Sequence, residues 1–118
     1  MDCHIGAAID GAIHWQRVNV LWDTGTSTTV ISPVLAARLG LKPKDGDYID
    51  LNVVGGIARS WMTVVYVGFP NHKVYGPLPV AVKELPSTDV LLGMDVISIG
   101  TFLLEPKPDG GTKFMFIL

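Results

Sequence analysis

The sequence predicts an all-β domain, a closed β-barrel-like or sandwich fold with one or two short helices, and three observations carry that expectation. Residues of high β propensity recur in short runs, Gly, Pro and Asp punctuate those runs, and a single segment carries clear helix start and stop signals. At 118 residues the chain is expected to form one domain, 1–118, burying about two thirds of the surface its unfolded form exposes.

The first β run, Ile5 to Ile9, is followed by Asp10-Gly11 and then by Ala12 to Trp15, which leads into Arg17 to Trp22. An Asp-Gly pair between two such runs reads as a hairpin turn. After Thr29-Val30-Ile31 comes Ser32 to Gly40, where Ser32 can cap, Pro33 fits the first helical position and Gly40 can terminate, so one short helix is expected there. Tyr48 to Val54 and Ser60 to Val67 read as a long hairpin joined across Gly55-Gly56-Ile57-Ala58-Arg59, with a glycine-bearing, mobile tip. Pro70, Pro77, Pro79 and Pro86 punctuate Val74-Tyr75 and Val80 to Val82, which suits short, edge-tolerant strands. Asp89 to Ile97 reads as a buried strand passing into one helical turn. The chain closes with Phe102 to Leu104, a loop at Pro106 to Gly111, and the apolar run Lys113 to Leu118. A strand as apolar as Phe114 to Leu118 invites edge pairing, inside the fold or with another subunit, and the subunit interface is the favoured expectation.

Composition narrows the function classes. The formal net charge is −2 and the Lys and Arg residues are scattered, which argues against a nucleic-acid footprint. The start Met1-Asp2-Cys3-His4 lacks the basic region of a signal peptide, and no apolar run reaches the length of a membrane helix, so a cytoplasmic setting without membrane insertion is expected. Hydrophobic residues make up 48% and charged ones 17%, an apolar balance that points to surface covered by a second copy of the chain. Cys3 has no partner cysteine in the chain and reads as a structural thiol. His4, His14 and His72 share no metal-ligand spacing, Asp45, Asp47 and Asp50 read as solvated loop charges, and Ser27 and Ser32 form no nucleophile arrangement. Neither a metal nor a cofactor is expected.

The sharpest feature is Val20-Leu21-Trp22-Asp23-Thr24-Gly25-Thr26-Ser27-Thr28, an apolar strand that delivers an acid into a turn of small hydroxylated residues. Gly25 lets the backbone turn tightly, and Thr24 and Thr26 offer hydroxyls that can orient an ionised Asp23. Taken alone, this is also how a strand ending in an Asx turn reads. Trp22 precedes the acid, and strand alternation turns it away from the carboxylate and toward the core.

Together with the glycine-tipped hairpin and the later Leu91-Leu92-Gly93, this order of motifs resembles the retropepsin-type aspartic proteases over nearly the whole chain. The resemblance implies an acid-protease fold with one lobe per chain, a homodimer, and an aspartic endopeptidase acting on extended peptide or protein substrates. It makes Asp23 the catalytic acid, with Thr24, Gly25 and Thr26 supporting its loop. Val54, Gly55, Gly56 and Ile57 become a flap over the substrate, and Leu91, Leu92 and Gly93 the supporting strand. One Asp-Thr-Gly per chain means that the second carboxylate must come from a symmetry mate, since the mechanism needs two acids sharing a proton. Two positions depart from the viral pattern: Ser27 stands where an acid is usual, and Met94 where an Arg follows the late Gly. Thr26, with a hydroxyl where viral members usually carry Ala, implies an acidic optimum. The alternatives are a catalytically inactive dimerisation or peptide-binding domain on the same fold, and a monomeric ligand-binding barrel.

Overall fold

Asp10 and Gly11 have φ of 52° and 81°, the positive values that a two-residue hairpin turn requires, and they join β1 (Cys3–Ile9) to β2 (Ala12–Val18) with Ile9 opposite Ala12. A computed structural model describes residues 3–44, 48–53 and 55–118, with side chains at all of these except 51–53, 58 and 59. Along β1 Cys3, Ile5 and Ala7 are buried while His4 and Ala8 are exposed, and Gly6, on the outer face, is covered by the side chains of Ile13 and Trp15. After Asn19 the chain runs on into β3 (Val20–Trp22), and β4 (Val30–Ile31) leads to α1 (Pro33–Arg38). Ser32 Oγ accepts the Leu35 N–H at 3.1 Å, Pro33 opens the helix, and Gly40 follows it with φ 76°. Its buried Leu35 and Ala36 hold the helix to the core.

The remaining elements are β5 (Tyr48–Val53), β6 (Gly56–Gly68), β7 (Val74–Val82), β8 (Val90–Leu92), α2 (Met94–Ile97), β9 (Thr101–Pro106) and β10 (Thr112–Ile117). One curled sheet runs in the order β2-β1-β6-β7-β4-β8-β3, with β5 also pairing β6, and β9 and β10 form a separate two-stranded sheet. Ile5, Ile31, Leu35, Val65, Val67, Val80, Val90 and Leu92, fully buried, form the centre of the core. None of the described helices is long and apolar enough to cross a membrane.

The structure corrects three expectations. The sheet is a half-barrel, not a closed one: among the described residues no ladder joins its end strands β2 and β3. Asn19 alone separates those two strands, and one residue cannot reverse the chain to pair them side by side. The proline-punctuated region is one strand, β7, lying between β6 and β4 instead of two short edge strands. Only Ala81 and Val82 pair with β4, so Pro77 and Pro79 lie where that side of β7 has no neighbour to receive an N–H. The glycine hairpin is also paired further than expected, up to Val53 opposite Gly56, so Gly56 to Arg59 belong to a strand. Gly55 at φ 94° and Gly56 at φ 144° take up the conformations that permit so short a reversal. Val54, Asp45 and Asp47 lie outside the described residues.

Candidate active site

Asp23 is set in place by a parallel ladder. Val20, Leu21 and Trp22 pair with Val90, Leu91 and Leu92, and the Asp23 N–H extends the ladder by donating to Leu92 O at 2.9 Å. The chain then turns at once. Gly25 N–H donates to Asp23 Oδ1 at 2.8 Å, and Thr26 N–H reaches Asp23 O at 3.4 Å. A Cβ at Gly25 would stand 3.1 Å from that same carboxylate oxygen, so the residue's lack of a side chain keeps the amide within reach of the acid. The second oxygen of half-buried Asp23 takes no hydrogen bond from the described residues, nor do the hydroxyls of Thr24 and Thr26 make one. The carboxylate is therefore oriented by a backbone amide, not by the neighbouring hydroxyls that the sequence suggested.

Beneath this turn, Leu92 and Gly93 are buried and Leu91 half-buried, and Gly93 touches the loop that follows Asp23. A Cβ there would lie 2.8 Å from Thr26 Cγ2 and 2.8 Å from Thr26 O. Met94 N–H donates to Thr26 O at 2.8 Å. Fully buried Thr29 completes the attachment: Asp95 accepts its N–H at 2.9 Å and its hydroxyl proton at 2.7 Å, while Thr29 Oγ1 accepts the Gly93 N–H at 3.2 Å. The sequence places Thr29 at the start of a strand run and Asp95 in the stretch Asp89 to Ile97, a strand passing into one helical turn, and pairs neither with the other. The available signal was a hydroxyl residue directly before the apolar Val30-Ile31, together with an acid two residues after the late glycine.

Trp22 packs on the C-terminal hairpin, its ring centroid 6.1 Å from Phe102, 5.0 Å from Phe114 and 4.8 Å from Phe116. That is the core-facing orientation that alternation required. Of the expected flap, Gly55 and Gly56 sit at the end of the β5–β6 hairpin and Ile57 is 70% exposed. The loop after Asp23 and this hairpin both line a cavity of about 360 Å³, through Thr26, Ser27 and Thr28 from the loop and Ile49 and Met62 from the hairpin.

The chain that carries this turn-held aspartate and its apolar-apolar-Gly supporting strand is matched over residues 9–98 by one family model, described as "gag-polyprotein putative aspartyl protease". The chain belongs to this family of retropepsin-like aspartic proteases. Solved retropepsin-like structures share its fold. The EIAV protease complexed with the inhibitor HBY-793 superposes with a TM-score of 0.60 at 21% identity, covering 84% of each chain. A retropepsin-like aspartic protease from Rickettsia conorii gives a TM-score of 0.60 at 16% identity, covering 89% of this chain and 74% of that one. No curated protein matches the sequence. Within this retropepsin-like chain the two departures from the viral pattern have definite surroundings. Ser27 is exposed, and Met94, 37% exposed, donates its backbone N–H to Thr26 O in the loop after Asp23.

Proposed function

We propose that the protein is an aspartic endopeptidase that works as a homodimer, cleaving extended polypeptides with water activated between Asp23 and its symmetry mate. The observation that carries this reading is the Gly25 amide on Asp23 Oδ1, which leaves the other oxygen of the carboxylate without a hydrogen bond from the described residues, at the end of the β3–β8 ladder. A chain with one such turn holds half a dyad. Two carboxylates brought together at a two-fold axis cannot both ionise easily, so they share a proton and titrate as a unit.

The ionised member takes a proton from water as the water oxygen adds to the scissile carbonyl carbon. The protonated member gives its proton to the carbonyl oxygen, so the tetrahedral intermediate is a neutral diol. Breaking the C–N bond then moves a proton to the leaving nitrogen and returns the dyad to its singly protonated state. Gly55, Gly56 and Ile57 are proposed to close over the substrate as a flap, with Val54 assigned to the same segment from sequence alone. Thr24 and Thr26 support the catalytic loop, and Leu91, Leu92 and Gly93 brace it from below. The apolar exposure of Leu21, Leu104 and Ile117 (51%, 63% and 48%) supports a second copy covering part of this surface.

Incubating the protein and an Asp23→Asn variant with a peptide library from about pH 3 to pH 7 tests the reading. Cleavage by the parent alone, strongest in acid, is the expected result. Silence from both at concentrations where sedimentation shows a dimer would favour a peptide-binding domain, and an absence of self-association would favour the monomeric barrel.

A further inference from the structure

From the cavity between the catalytic loop and the β5–β6 hairpin we infer that Lys83 makes this protein selective for substrates carrying an acidic side chain, glutamate above all, beside the scissile bond. The inference rests on the proposed protease activity and adds the substrate class. Lys83 N–H donates to Ile31 O at 3.1 Å, which continues the β7–β4 ladder one residue past Val82 and keeps the backbone extended. Ala81 and Lys83 are therefore on one face of the strand, and both line the cavity with Thr26, Ser27, Thr28 and Met62. Met62 stands directly opposite Ala81 in the β6–β7 register.

Lys83 is the only charged residue among the described residues lining this space. It is half-buried, and its ammonium has no acid or other hydrogen-bond partner among the described residues. The adjacent acid, Glu84, is exposed and lines a different cavity with Thr88 and Asp89, so it does not occupy this one. An apolar occupant would strip water from the ammonium and return nothing. A carboxylate on an aliphatic stem would set methylenes against Val30, Ala81 and Met62 and its charge against Lys83, with hydroxyl donors on Thr26, Ser27 and Thr28. Thr26 is three residues from Asp23 in the same turn, which puts this recognition next to the reacting bond. A two-fold dimer presents the pocket twice, so the preference extends to both sides of the cut.

The test uses a synthetic peptide library in which each position is presented as Glu, Gln or Leu, at about pH 5.5, where glutamate is ionised. Cleavage is read with the parent protein, and binding is read separately with the Asp23→Asn protein, each with and without Lys83→Met and Lys83→Arg. Glu over Gln by about fivefold at one position or at a mirrored pair, abolished by Lys83→Met and kept by Lys83→Arg, is the expected result. The Glu/Gln ratio is internal to each variant, so incomplete folding of a variant does not shift it. Cleavage with no Glu preference, or with one that Lys83→Met leaves intact, overturns the role of Lys83 while the protease reading stands. Absent cleavage with Lys83-dependent binding of Glu peptides upholds the pocket and removes the protease. Binding that ignores the Glu-to-Gln change overturns the proposal whatever the cleavage result.

Discussion

Gly93 is a glycine for reasons of space. Its φ of −96° is open to any residue, but a methyl group there would collide with the side chain and carbonyl of Thr26 at 2.8 Å. Because one of those atoms is backbone, relief requires moving the loop that follows Asp23. Gly93→Ala is expected to cost about 2 kcal/mol in a urea titration and to lower kcat/KM by about tenfold or more, since the loop sets the position of Asp23. Unchanged kcat/KM in a stably folded variant would mean that the loop absorbs the displacement without disturbing the acid. The residues nearest the chemistry differ in how far they could be read from sequence. Asp23-Thr24-Gly25 is legible because an Asx turn is local, the amide of Gly25 lying two residues from the carboxylate it holds. The Thr29–Asp95 attachment spans 66 residues, and no local pattern relates a buried hydroxyl to an acid that far along the chain.

Among the elements, those built on local chemistry were legible. The β1–β2 turn follows from Asp10-Gly11, and α1 from Ser32, Pro33 and Gly40. Strand β7 was read as two pieces because a proline's tolerance depends on which neighbour lies alongside, and β4 meets β7 only at Ala81 and Val82. The parallel pairing of β3 with β8 was equally hidden, since the two strands meet through a long intervening stretch. The β5–β6 hairpin carries the prediction that belongs to this scale. Ile57 is 70% exposed, so Ile57→Ser is expected to leave stability within about 0.5 kcal/mol of the parent. If the hairpin closes over substrate, the same change raises KM severalfold in peptide cleavage, and an unaltered KM would remove Ile57 from the flap role.

For the molecule as a whole, a radius of gyration of 15.0 Å exceeds the roughly 13.5 Å expected of a compact chain this long. The excess matches an architecture with a half-barrel and a separate β9–β10 hairpin attached through the Trp22 cluster. A two-stranded ribbon is marginal alone, and its exposed Leu103 and Leu104 leave it room for a neighbour. On the homodimer reading, activity per chain should fall on dilution, in step with the loss of dimer by sedimentation. Specific activity independent of concentration well below the dissociation constant would exclude a site shared between two chains. The proposed catalytic acid also has an order of manufacture. Asp23 leaves the ribosome before Leu92, Gly93 and Asp95, which hold its loop, Asp95 66 residues after Thr29. At ribosomal speeds of about 5–20 residues per second that gap is roughly 3–13 s. On the protease reading, during those seconds the nascent chain carries its acid without the frame that aims it, and so is unarmed.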